Sequence, residues 1–163
     1  GGGGGGALYR RARLSAADQI TYSIGAGGVG GADLASTTAG GDTTIAFKAQ
    51  VLTAGGGERG VAGVSRGAGG IATGGDVNRR GGQSGDAGEN GGVAGASASN
   101  FGGGGAAGFS DLLGSVLNGG AGGAASSVSN GAAGAFPGGG GGGGFPNGGA
   151  GGNGRMYVVL MTR

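Results

Sequence analysis

Cysteine and histidine are both absent from this 163-residue chain. Their absence excludes disulfides, thiolate metal sites and imidazole chemistry. Tryptophan is also absent, proline occurs twice, and aromatic residues make up 5% of the chain. Large aliphatic residues are few, so a side-chain core must be small. Burial then has little to set against backbone ordering, which costs about 1–2 kcal/mol per residue. No apolar run approaches the ~18 residues of a membrane helix, and no signal-peptide pattern is present. Ten basic and eight acidic residues leave a net charge of +2. That balance gives no electrostatic footprint for nucleic acid or an anionic membrane. No Asn-x-Ser/Thr sequon occurs. The chain opens on Gly1–Gly6 without an initiator methionine, which reads as a fragment, a processed product or an incomplete N-terminus.

Glycine dominates instead, with 54 residues. A third of a chain as glycine suggests collagen, but two prolines exclude the Gly-X-Y triple helix. Glycine also loses the most freedom on folding. Such a chain is either a flexible tether or is held by something other than side-chain burial.

Two islands richer in side chains flank the glycine-rich centre. In the first, residues 7–54, the stretch from Leu8 to Leu14 reads as a strand with Leu8, Ala12 and Leu14 on one face. Ser15-Ala16-Ala17-Asp18 reads as a turn. Gln19–Ile24 alternates, with Ile20, Tyr22 and Ile24 on one face, as in a half-buried antiparallel strand. Asp42–Phe47 and Gln50–Ala54 read as a third and a fourth strand. The second island, residues 155–163, is apolar on both faces and predicts a central strand that returns to the N-terminal ones.

Between them, in residues 55–154, glycines recur in step three: Gly57, Gly60, Gly63; Gly82, Gly85, Gly88, Gly91; Gly119, Gly122; Gly131, Gly134; Gly148, Gly151, Gly154. A polyproline-II-type helix has three residues per turn, so this spacing leaves one bare stripe. Bare stripes let neighbouring backbones approach and pair their N–H and C=O groups. Doubled glycines suit a segment with neighbours on two sides. Broken triplets such as Val64–Arg66 and Ala72–Thr73 read as turns. The fold expected is mainly β and polyglycine-II. A small antiparallel sheet forms from both chain ends, beside a bundle of short polyglycine-II helices, with almost no α-helix. The alternative for the centre is a flexible linker. The apolar residues scattered through it favour the packed bundle. The three regions, 1–54, 55–154 and 155–163, are expected to form one structural unit, part of a longer chain.

Motifs for chemistry are weak. Gly25-Ala26-Gly27-Gly28-Val29-Gly30 follows a strand and matches the dinucleotide fingerprint, but roughly half a dozen accidental matches are expected at this glycine content. The glycines at 40 and 41 would also stop the helix that the fingerprint needs. The only lysine, Lys48, follows no phosphate loop. Asp86 and Glu89 share one face of a three-fold helix and could hold Ca²⁺, although solvated carboxylates are the simpler reading. The residues thus predict no enzyme, no cofactor and no metal. Ser110–Asn118 is the one helix candidate, with Leu112 and Leu113 on its apolar face; it reads as a plug for the bundle or as a contact loop. Phe136-Pro137 and Phe145-Pro146 flank the run Gly138–Gly144. Their rings either face a ligand from stiff turns or fill gaps between bare segments.

The order of these blocks resembles the glycine-rich domain of bacteriophage tail fibres and tail proteins. The blocks are Gly1–Gly6, a strand and turn, Ile20–Ile24, Gly-Ala-Gly-Gly-Val-Gly-Gly, Gly-Gly-Asp-Thr-Thr-Ile-Ala-Phe, Leu-Thr-Ala-Gly-Gly-Gly, and Gly-Gly-Asn-Gly-Arg before an apolar end. The resemblance spans essentially the whole chain. It implies a virion location outside the cell, no catalysis, and assembly with other fibre subunits, commonly as a homotrimer. In that family a short apolar strand normally precedes the first glycine run, and here it is missing. The likeness extends to adhesin tips, where loops between packed polyglycine-II helices bind a host receptor. It transfers no receptor residues, because those loops vary. The candidates therefore come from this chain's own loops: Phe101, Phe109, Leu112, Leu113, Phe136, Pro137, Phe145 and Pro146. The expected receptor is a surface polysaccharide or an outer-membrane protein, with no nucleic-acid partner and no membrane insertion. Three other readings compete: a purely structural virion part, an ice-binding bundle, and a glycine-rich bacterial surface protein.

Overall fold

The structure is a computed structural model that describes residues 2–31, 36–60, 67–84, 120–123, 130–143 and 147–158. Its regular elements are short strands: β1 (Ala7–Tyr9), β2 (Thr21–Ser23), β3 (Thr43–Phe47), β4 (Gln50–Ala54), β5 (Ala72–Thr73) and β6 (Val77–Arg79). Among the described residues there is no α-helix. β1 pairs with β6, and β2-β3-β4-β5 form a four-stranded antiparallel sheet in that order.

The β3–β4 hairpin is the best-specified unit. Phe47 pairs with Gln50, leaving Lys48 and Ala49 as a two-residue turn with φ of 47° and 59°. Positive φ at both positions matches the twist that a tight hairpin needs. The Lys48 side chain secures that turn, reaching the Arg13 carbonyl at 2.7 Å and the Asp18 carboxylate at 3.1 Å. The hairpin register sets Thr43, Ile45 and Phe47 on one face with Leu52 and Ala54, and β5 adds Ala72. Phe47, Leu52, Ala72 and Thr43 are buried there, a core as small as the composition demands. The opposite face carries a row of hydroxyls, Ser23, Thr44, Thr53 and Thr73, one from each strand.

Several sequence expectations need correction. The strand expected from Leu8 to Leu14 ends at Tyr9, because Arg10 and the Arg11 amide both turn to Asp76. The strand expected over Gln19–Ile24 contracts to β2, at the edge of its sheet, and Tyr22 and Ile24 stand 63% and 42% exposed. Ala72–Thr73 is a strand, not a turn, because Thr53 and Ala54 offer it a ladder. The turn falls later, at Gly74 (φ 84°), and the Asn78 side chain closes it on Gly75 with two 3.0 Å bonds. Of the strand expected over 155–163, residues 155–158 are not in a strand and 159–163 lie outside the described residues; the partner of β1 is β6. The C-terminal segment still returns to the N-terminal region through its glycines, where the Gly154 amide donates to Gly25 O at 2.9 Å. The Ser15–Asp18 turn and the strands at 42–47 and 50–54 fall where the sequence places them.

Beyond the strands, backbone hydrogen bonds join glycine segments far apart in sequence. The amides of Gly2 and Gly5 donate to Gly141 and Gly138. Those of Gly3 and Gly6 donate to Glu58 and Gly55, and that of Gly4 donates to Gly82. Successive residues of one segment therefore address three neighbours in rotation, and each neighbour recurs every third residue. A β-strand would alternate between two. Carbonyls 137–142 repeat the pattern, receiving amides from Gly120, Gly5, Gly152, Gly123, Gly2 and Gly149 in turn. Gly139–Gly143 is buried along its length. An all-glycine run thus takes the centre because each of its sides faces another backbone. Runs with one residue in three substituted lie further out: Ala26 and Val29, or Ala150 and Asn153, are exposed while glycines between them are not.

The strand ladders run on into these segments without a break. β4–β5 continues as Gly55 to Ile71 and Glu58 to Ala68, and β2–β3 continues as Gly41 to Ala26 and Thr38 to Val29. The spacing of the bonds lengthens from the strand repeat to three where the side chains give way to glycine. Polar side chains complete the pairing where no backbone acceptor is in place. Thr43 Oγ1 accepts from Gly25, Asp42 Oδ1 from Gly56, Asn153 Oδ1 from Gly27 and Ser84 Oγ from Gly67.

Candidate binding site

Of the residues proposed as contacts, Phe136 and Pro137 fall within the described structure. Phe101, Phe109, Leu112, Leu113, Phe145 and Pro146 lie outside the described residues, as do Asp86, Glu89 and the helix candidate Ser110–Asn118. Phe136 is 54% exposed. It opens a turn over Phe136–Gly138 that is tied on both sides. Ala135 N donates to Ala121 O at 2.8 Å, and Pro137 O accepts from Gly120 N at 2.7 Å. Gly138 N donates to Asn153 O at 2.7 Å. That last bond fastens the turn to the chain two residues before Arg155.

The consequence is a cluster that the sequence reading missed. The Arg155 guanidinium lies 4.1 Å from the centroid of the Phe136 ring and 5.2 Å from that of Tyr157. Both distances fall inside the ~6 Å range of cation–π attraction. Arg155 also donates to the Tyr157 hydroxyl. Tyr157 is 45% exposed, so two accessible rings flank one cation on a backbone-braced base. The signal in the sequence was the spacing of Arg155 and Tyr157, two apart and so on one side of an extended chain. The apolar residues around them pointed instead to a buried strand.

Two ion pairs in the turns and connections beside the strands serve the fold. Asp76 accepts from the Arg11 amide at 2.8 Å and pairs with Arg10. Those contacts, the amide first, hold its carboxyl below the ordinary value. Asp18 is lowered in the same way, first by the Ser15 amide at 2.6 Å and then by Lys48. Among the described residues no three acidic side chains gather as a metal site, and no helix is long and apolar enough to cross a membrane. Among the described residues, no helix follows Gly25–Gly30. The glycines of that stretch instead face residues 38–41 and 148–154, with Gly151 N on Gly28 O at 2.8 Å.

A family model described as a glycine-rich domain matches residues 1–161. The chain belongs to that glycine-rich domain family. No curated protein and no solved structure matches it. Membership agrees with a glycine-rich domain whose ordered pairing runs from Gly2 to Gly154.

Proposed function

We propose that this glycine-rich domain is a structural and adhesive part of a bacteriophage virion, a tail-fibre tip domain that attaches to the host cell, and not an enzyme. The observation that carries the reading is Phe136, an exposed ring held on a turn whose flanking backbone is bonded to two other segments. A stiff base that holds an aromatic in solvent suits recognition, because little freedom is lost when a partner binds.

The glycine segments of this reading are short polyglycine-II helices. The rotation of hydrogen bonds through three neighbours supports that assignment, since three residues per turn point successive amides 120° apart. Amide hydrogen exchange tests it. Gly2–Gly6 and Gly138–Gly142 should exchange far more slowly than Arg10–Leu14, and exchange at random-coil rates across both runs would remove the bundle.

The domain would sit outside the cell beside other fibre subunits, with three copies adding avidity to weak single contacts. Attachment is tested by binding of the labelled protein to a panel of Gram-negative strains. Saturable binding that discriminates among strains is expected. Absence of binding to every strain would favour the purely structural alternative, a fibre shaft or a head or tail decoration.

A further inference from the structure

We infer that residues 155–158 form a strap that closes on the open edge of β2 and pairs Tyr157 with Tyr22. β2 is the outermost strand of its sheet. The two-residue turn makes Phe47 and Gln50 the first hydrogen-bonded pair of the β3–β4 hairpin, so Ile45, two residues on, also faces β4. Backbone groups alternate in direction along a strand. Thr44 and Ala46 therefore face β2, where they meet Ser23 and Thr21. The Tyr22 amide and carbonyl then point outward, and they meet no backbone partner among the described residues. The residue as a whole is 63% exposed.

The ladder that already lines this edge marks its occupant. Gly31, Gly28 and Gly25 accept from the amides of Gly148, Gly151 and Gly154, one step of three at a time. The next step in the same register is Tyr22 with Tyr157. The inner ladder of the same segment takes the equivalent step. From Val29 with Thr38 and Ala26 with Gly41 it runs on to Ser23 with Thr44. The outer ladder stops one step short. Met156, Tyr157 and Val158 have no backbone partner among the described residues, and Tyr157 and Val158 are 45% and 50% exposed. The Tyr157 ring lies 5.2 Å from the Arg155 guanidinium, which is itself engaged with Phe136. Closing the strap sets two exposed tyrosines opposite each other, an aromatic cross-strand pair of the kind that stabilises a sheet. It also pairs their amides and carbonyls, and so covers an edge that is otherwise a template for other chains.

The chain has no cysteine, so an engineered disulfide reads the register directly. In the closed strap Ser23 and Met156 are a non-hydrogen-bonded pair with Cα atoms about 4.5 Å apart, inside the ~4.4–6.8 Å range of a disulfide. Ser23→Cys combined with Met156→Cys should form an intrachain bond when the dilute full chain is treated with oxidised glutathione. Ser23→Cys combined with Tyr157→Cys is one residue out of register, with the two side chains on opposite faces. Its yield should be about tenfold lower. In the parent, the Tyr22 and Tyr157 amides should exchange about tenfold more slowly than those of Met156 and Val158, which point away from β2. Tyr157→Ala should speed exchange at Tyr22. Thermal midpoints of the reduced variants report whether the fold survives, and the exchange of the parent needs no variant. Equal disulfide yields in the two registers, or exchange at Tyr22 as fast as at Val158, would each overturn the inference. A disulfide formed only between chains would overturn it as well, and would give the edge to a second copy.

Discussion

The carbonyl of Gly3 occupies the space that a Cβ on Gly57 would need, while the Gly3 amide donates to Glu58 O at 2.8 Å. One contact excludes a side chain and the next uses the closeness so gained. This pairing of exclusion and bonding recurs at Gly81 against Gly4, at Gly70 against Gly55 and at Gly141 against Gly149. It gives glycine a packing role that a tether would not need.

Glycines should therefore differ sharply in tolerance to alanine. Gly57→Ala and Gly81→Ala drive a methyl into neighbouring backbone and should cost about 3 kcal/mol, the upper range for overpacking. In Gly5→Ala the added methyl meets nothing nearer than Gly138 O at 3.5 Å, an ordinary contact, so the change should cost less than about 1 kcal/mol. Denaturant midpoints of the three variants check the contrast.

Ser84 is 1% exposed, and its Oγ accepts the Gly67 amide at 2.6 Å while its own amide donates to Gly67 O at 2.9 Å. Ser84→Ala removes the acceptor but not the donor. A buried amide left unpaired should lower stability by about 1–3 kcal/mol. The Gly67 amide should also lose exchange protection ahead of its neighbours.

Ala49 sits at φ 59° in the hairpin turn, where an L side chain is strained by about 1–2 kcal/mol. Ala49→Gly should raise stability by about 1 kcal/mol, despite the added freedom of the unfolded chain. Its thermal midpoint should exceed the parent's.

Asp76 has a folded pKa below its ordinary 3.8. Its contacts with the Arg11 amide and Arg10 therefore stabilise the fold above that value, and the contribution is lost as pH falls through the depressed one. Asp76→Asn should melt earlier than the parent near neutral pH, and the gap should close well below pH 3.8. A gap that persists undiminished in strong acid would assign the effect to packing instead.

Much of the β part was legible from local pattern. Asp42–Phe47 and Gln50–Ala54 alternate and carry β-branched residues, and strands form there. The step-three glycines were legible as well. Gly131 and Gly134 donate to Asn147 and Ala150, and Gly148, Gly151 and Gly154 donate to Gly31, Gly28 and Gly25. Partner choice was not legible. A bare glycine face carries no register mark, so it accepts parallel neighbours, as 131–134 does with 147–150, and antiparallel ones, as 148–154 does with 25–31. β5 and β6 escaped the sequence reading because two or three residues are too few to show a period.

From the sequence alone follow the small side-chain core, the hairpin strands, and the need for backbone pairing to replace side-chain burial. Those depend on which side chains are present and at what spacing. Only the tertiary structure decided that Gly139–Gly143 lies at the centre, that β1 joins β6, and that Phe136 meets Arg155. Each of these depends on which bare faces meet. Identical bare faces differ only in the turns and strand ladders that carry them, which act across the whole chain.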